Sequence, residues 1–549
     1  MSVMNVVQIK SFRLIGVILP VWLLLSDVLG AEIKDVSTAR VYIDCSQKLQ
    51  KIDGFGSSAF GGFTVFEKGH CDAEFAKGIT YKTTPQQRKE MITTAVRELG
   101  VTHLRMWMSP AGIELTNDND DPAVMNWDAF TWEGYSKNPL FEKSNLNRRN
   151  GLKEWGDVLT VAVPLGLKNW IVTPGNMPEW LLQKFNNPND PDRFEEYAEW
   201  AAAGLLYLKK TFGLEAPYWS MFNEPDVRGW KSPELWLSWI KATGRRFRKE
   251  GLKTMIMAPD YMNVYQAIPL TEAILKDDEA RRYIGAVAYH HYRSSGDDPK
   301  PFLVITADPE TADSGKRYDK LTAGARAMAE LGKKYELPSW QTETAYYPKP
   351  LKRKELTPWD VARGRANEIY YELVSGASAV QGMLMIWIDA VDPRANYTVR
   401  MAGHHIVMST DGQKVTEWRV TKDCGAIFAH YGRYVRPGDR RIAAACEDRL
   451  IRVTAFSTQQ QTRCVSVIIN NAKVPRTVRF MLKYLLFKPT FVGGLLTDEN
   501  HAMAAHPIGA VDNSENVYQA VLPPLSVCTF VWSSADMGKL TLPDDVKFK

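Results

Sequence analysis

Two stretches place a carboxylate where an apolar run ends. In "APYWSMFNEPDVRGW" (216–230), Tyr218, Trp219, Met221 and Phe222 read as a buried strand. Glu224 follows where the chain leaves that strand, and Pro225 ends any hydrogen-bond ladder there. In "LPSWQTE" (337–343), Glu343 closes a second apolar run in the same way. A carboxylate so placed is either a solvated loop charge or a positioned reactive group. Two of them facing one cleft can divide the work of breaking a glycosidic bond. One, protonated, donates to the leaving oxygen, and the other attacks or activates water. A separation of ~5–5.5 Å implies retention of configuration, and ~6.5–9.5 Å implies inversion.

The elements that must carry this pair alternate. Short apolar runs at 52–60, 102–108, 168–173, 216–222, 253–259, 284–292, 337–343 and 379–387 are separated by amphipathic, helix-like segments. Alternation of this kind implies parallel strands covered by helices. Eight units predict an α/β fold, a (β/α)8 TIM barrel spanning 52–424 with loop insertions. A doubly wound sheet is the runner-up, but no Gly-rich phosphate loop opens any of the helices. After residue 425 the texture changes to short alternating strands with turn residues between them and no convincing helix. That predicts a flanking all-β sandwich over 425–535, with the strand-like segment 31–51 joining it. The tail 536–549 is polar and expected to be loosely ordered.

In such a barrel the chemistry gathers at the C-terminal ends of the strands. Reading those ends in order gives Arg105, Asn176, Trp180, Asn223, Glu224, His290, His291, Tyr292, Glu343, Trp387 and Asp389. His290 and His291 adjoin, so alternation turns one into the barrel and the other out. Sugar rings stack their C–H faces on aromatics, and Trp107, Trp180, Trp340 and Trp387 all fall at or near strand ends. The loop from 113 to 150 is long and carries "NDNDD", Trp127, Phe130, Trp132 and Tyr135. It is either a solvated insertion or a wall of sugar subsites.

The totals restrict the rest. A chain of 549 residues with 45% apolar and 24% charged residues has the makeup of a globular protein with a large core. A formal charge of +5 with no long basic run makes nucleic acid or an anionic membrane a poor partner. Residues 1–30 carry Lys10 and Arg13 before twelve apolar residues, Leu14 to Leu25, then small residues near Gly30 and Ala31. That pattern predicts a cleaved secretory leader, hence a secreted or periplasmic protein with no stable membrane insertion afterwards. The six cysteines are compatible with export but too sparse for a disulfide scaffold, and none has zinc-site spacing.

Five stretches in order resemble one family. "FNEP" at strand four, "AYHHY" at strand six and "WQTE" at strand seven are similar to the retaining barrel glycosidases of clan A. "KIDGFGSSAFG" and "FAHYGRYVRPGDRRI" (428–442) resemble the first strand and the entry into the side sandwich of glycoside hydrolase family 30. The resemblance runs from about residue 40 to 533 and implies Glu224 as acid/base and Glu343 as nucleophile. It implies that Asn223 binds the sugar hydroxyl beside the reacting carbon, and that Arg105 and Tyr292 hold Glu343 ionised. It implies a carbohydrate substrate, and no cofactor or metal. "TPGNMPEW" and "SPAGIEL" lack an aromatic and an acidic residue found in relatives that cleave glucosyl lipids. The expected substrate is therefore an extracellular galactan, xylan or β-glucan. The alternatives are an exo-acting, glucosylceramidase-like β-glycosidase, a clan A glycosidase of another family, and a non-catalytic carbohydrate-binding homologue.

Overall fold

The computed structural model describes residues 38–57, 83–108, 113–114, 116–132, 151–291, 312–344, 357–382, 386–388, 391–392, 397–398, 405–411, 414–512, 515–534 and 548. Residues 1–30, where a leader is expected, lie outside them, as do Tyr292, Asp389, Tyr135, nearly all of the tail and the side chain of Trp387.

The chain enters on β1 (Ala39–Lys51) and then lays down the barrel strands. These are β2 (Gly54–Ser57), β3 (His103–Met108), β4 (Asn169–Pro174), β5 (Tyr218–Ser220), β6 (Met255–Tyr261), β7 (Ile284–His290), β8 (Ser339–Glu343) and β9 (Ala379–Gly382). Each pairs in parallel with the next, and β2 pairs with β9 to close the ring. Closure brings β2 hard against β3. A Cβ on Gly56 would sit 1.9 Å from the His103 carbonyl oxygen, so that position takes only glycine.

Around the barrel run α1 (Pro85–Thr93), α2 (Leu152–Leu165), α3 (Glu179–Asn186), α4 (Arg193–Phe212), α5 (Pro233–Lys249), α6 (Val264–Lys276), α7 (Asp278–Arg281), α8 (Ala312–Lys334) and α9 (Pro358–Ser375). Their ends follow local chemistry. Thr84 with Gln87 and Thr357 with Asp360 form capping boxes at α1 and α9. Left-handed Gly166, Gly213 and Gly376 end α2, α4 and α9. Helix α4 buries Tyr197, Ala201, Leu205 and Leu208, three or four residues apart, against the strands.

Two expectations about the strands need correction. The run 379–387 is not one strand. β9 ends at Gly382, and Ile386–Ile388, which carries Trp387, pairs with Ile406–Thr410 in a separate three-stranded sheet. Trp340 is no platform at the barrel mouth. It fills the opposite end, among Ile171, Met257, Ala286, Ala288 and Ala379, with Tyr218 and His103 at its edge. Its Nε1 donates to Asp53 Oδ2 at 2.9 Å. The small alanines on β7 and β9 leave the volume that the indole occupies.

Beyond the barrel the chain forms α10 (Cys424–Gly432), a helix where none was expected. It is wholly buried, so its sequence carries no amphipathic signal. The terminal β domain is one continuous ten-stranded sheet in which β1 lies between Arg440–Cys446 and Arg476–Lys483. The sheet folds over on itself. Phe480 meets Phe530 at 5.0 Å, although their strands stand five places apart in the sheet order. The domain packs on the barrel through Trp359 Nε1 to the Leu525 carbonyl (3.1 Å), reciprocal Asn367–Asn471 bonds (3.0 Å) and Gln50 to the carbonyls of Leu373 and Ala377. In the tail, Phe548 returns to bridge Val420.

Candidate active site

Arg105, on β3, stands at the centre of the barrel mouth with none of its side chain exposed. Its Nη1 donates to Glu343 Oε2 at 2.8 Å, and its Nη2 to Asn223 Oδ1 at 2.6 Å. Nε and Nη2 also donate to Asp260 Oδ2, at 3.1 and 2.6 Å. One planar guanidinium thus spans three strand ends, a geometry that suits its fork of donors.

The sequence pattern ends the fifth strand at Pro259 and so passes over Asp260. The strand in fact continues to Tyr261. Besides Arg105, Asp260 accepts from Ser220 Oγ (2.9 Å) and Thr342 Oγ1 (2.6 Å), and its Oδ1 lies 3.2 Å from His290 Nε2. The available signal was its position, a third acid at the end of an apolar strand.

Glu224 follows β5 with a left-handed backbone, φ 51°, and Asp260 shares that conformation at φ 61°. Left-handed backbone is costly for residues other than glycine and is held here by neighbours. The Glu224 N–H donates to the Asp260 carbonyl (3.2 Å), and the Asn223 N–H to that of Pro174 (3.0 Å). Asp226, in the turn after Glu224, accepts from the N–H groups of Met262 and Asn263. The Glu224 side chain is 17% exposed, against 4% for Glu343 and none for Arg105, Asp260 and His290, so it is the group most open to solvent.

His290 faces into the barrel, with Nδ1 at 2.9 Å from Glu224 Oε1. One oxygen of Glu224, one ring nitrogen of His290 and one oxygen of Glu343 all lie within 4.8 Å of one another. Burial alone would lower the His290 pKa, but the charges of Asp260 and Glu343 push it up to about 10. Burial also opposes the charge of Asp260, yet Arg105 and His290 outweigh it and hold that carboxyl well below the usual range. Glu343 is pushed above the usual carboxylate range by burial, against the pull of His290 and Arg105. The resemblance implied an ionised Glu343, and its burial works against that state. Two carboxylates and a histidine are also donors that a metal ion could use. The charges of Asp260 and Glu343 favour the protonated form of His290, so a metal ion would have to displace that proton to use its lone pair.

The other singled-out residues divide. His291 turns outward, as alternation requires, and pairs with Glu372 of α9, so it does not reach the cluster. Asn176 accepts from Arg228 Nη2 at 3.2 Å and ties the end of β4 to the turn after Glu224. Trp180, half-buried, donates to the Glu114 carbonyl (3.2 Å) and fixes the loop after β3. In that loop Trp132 stacks on Tyr207 at 4.2 Å, and Lys210 covers the Trp127 ring at 4.2 Å. These aromatics are engaged with α4.

No family model matches the sequence, and no curated protein matches it either. Solved structures do. The catalytic domain of the family 30 xylanase C from Talaromyces cellulolyticus is 18% identical with a TM-score of 0.60, over 90% of this chain and 100% of that one. A family 30 endoxylanase from Clostridium papyrosolvens gives 0.55 at 18% identity over 90% and 100%. An endo-β1,6-glucanase gives 0.58 at 16% identity over 90% and 94%. The fold is therefore a TIM barrel with a flanking β domain, structurally similar to glycoside hydrolase family 30. The resemblance read from the five motifs holds at the level of fold.

Proposed function

We propose that this chain is a retaining β-glycoside hydrolase acting by double displacement. The observation that carries the reading is the gathering of Glu224, His290 and Glu343 within 4.8 Å at the barrel mouth. That spacing falls on the short, retaining side of the carboxylate separations, well below the ~6.5–9.5 Å of inverting enzymes. Glu343, oriented by Arg105, attacks the anomeric carbon while Glu224 gives its proton to the departing glycosidic oxygen. The first product leaves with that proton, and the sugar remains esterified to Glu343. Glu224, now ionised, takes a proton from water as the water oxygen attacks the anomeric carbon. The ester bond breaks, Glu343 is released as a carboxylate, and the configuration is retained. In this reading Asn223, steadied by Arg105, bonds the sugar hydroxyl beside the reacting carbon.

The substrate class that best suits the chain is an extracellular β-linked poly- or oligosaccharide of galactan, xylan or β-glucan type. Export under the leader that residues 1–30 predict would deliver the enzyme to it. Xylanases and an endo-β1,6-glucanase among the structural neighbours support this class. The test is a hydrolysis screen of the mature protein and Glu343→Gln over aryl β-glycosides and β-linked polysaccharides, with proton NMR of the newborn anomer. A retained anomer, abolished in the variant, is expected. Inversion, or equal turnover by the variant, would refute the mechanism. Saturable glycan binding without turnover would assign the chain to carbohydrate binding instead.

A further inference from the structure

We infer that Asp260 is a positioning residue that sets the proton inventory of the Glu224–Glu343 pair. The inference rests on the glycosidase reading above. The charges of this site stand together, nearly closed to solvent. Facing one another are two cations, Arg105 from β3 and His290 from β7, and three carboxylates, Asp260 from β6, Glu224 after β5 and Glu343 from β8. Asp226 lies nearby with hydrogen bonds from the N–H groups of Met262 and Asn263, and it is the same in the wild type and in every variant below, so the differences in the charge count do not depend on it.

An uncompensated buried charge is costly, so the favoured state is neutral. With Asp260 present, neutrality leaves one proton on the glutamate pair, one acid beside one carboxylate. That is the form double displacement needs. With asparagine at 260, neutrality leaves only one proton to share between His290 and Glu224 along their 2.9 Å contact. A histidine is ordinarily the more basic, at about 6.5 against about 4.3 for a glutamic acid, so about one site in a hundred would hold the proton on the carboxyl. Asp260 therefore keeps His290 charged without taking the proton from the acid.

Asp260→Asn is expected to lose about 100-fold in kcat/KM on unactivated glycosides of the sugar the wild-type enzyme turns over. On dinitrophenyl glycosides, which need little protonation of the leaving group, the expected loss is under tenfold. Adding His290→Gln to Asp260→Asn restores the count and is expected to recover at least tenfold on the unactivated substrate. An equal loss on both substrate types, or a double variant no better than the single, would overturn the inference. Circular dichroism checks that Asp260→Asn folds. If it does not, His290→Gln alone decides. That variant leaves one cation against three carboxylates, which favours protonation of both glutamates, so the acid limb of the pH–rate profile must move to higher pH. An unmoved limb refutes the idea. A wild-type enzyme inactive on every glycoside refutes the glycosidase reading itself, which separates the two failures.

Discussion

Arg105→Lys keeps the charge at the centre of the site and removes the fork. Arg105 directs four hydrogen bonds at three acceptors, Asp260 (3.1 and 2.6 Å), Glu343 (2.8 Å) and Asn223 (2.6 Å). A single ammonium cannot span three strand ends, so lysine satisfies Asp260 or Glu343 and leaves the others to reorient. Hydrogen bonds to charged groups contribute about 1.5–3 kcal/mol each, and loss of one or two with partial compensation costs about 2–4 kcal/mol. If that falls on the orientation of Glu343 toward the anomeric carbon, kcat drops about 30- to 1000-fold while KM changes little. Steady-state kinetics on the preferred substrate, with calorimetric melting alongside, measures both terms. Activity within threefold of wild type, or a loss carried by KM alone, would show that the network is scaffolding and that the nucleophile is held by something else.

Other consequences are as direct. Burial pushes the carboxyls of Glu114 and Glu199 up to about 8 and about 9. Because the folded protein then holds protons that the unfolded chain releases near the ordinary glutamate value of 4.5, stability is full below that value and is lost as pH rises through 8 and 9. Urea unfolding at pH 6 and 9 is expected to show this decline, with a slope of at most about 1.4 kcal/mol per pH unit for each group, and Glu199→Gln to flatten it. A wild-type stability that rises over that range contradicts the assignment. Gly100 has φ +82°, and a Cβ there would lie 2.1 Å from the Gly432 carbonyl oxygen, which joins the barrel to α10. Gly100→Ala should lower stability by about 1–3 kcal/mol or more, seen as a reduced melting temperature. Phe480→Ala opens the core of the folded-over sheet and should cost about 3–5 kcal/mol in denaturant unfolding, with kcat unchanged.

Much of the site was legible because barrel chemistry sits where strands end, and strand ends are marked by a change in residue type. Glu224 and Glu343 stand out as acids closing apolar runs, and Arg105 as a cation inside one. The opposite facing of His290 and His291 follows from the period of a strand and holds in the structure. Trp340 was misplaced for a related reason. Alternation assigns it to the interior face but cannot say at which end of the barrel that interior position lies.

What the sequence determined by itself is periodic and local: eight parallel strands with covering helices, the two glutamates at strand ends, and the change to β texture after residue 425. What only the tertiary structure decided is who stands opposite whom. Asp260 meets Arg105, Ser220, His290 and Thr342 because closing the ring brings the ends of β3, β5, β6, β7 and β8 around one centre. The folding of ten strands over Phe480 and Phe530, and the burial of α10 between barrel and sheet, are likewise products of packing. The local pattern of a chain records which face of each element is apolar. The partner each face finds is set by barrel closure and volume, which no single segment encodes.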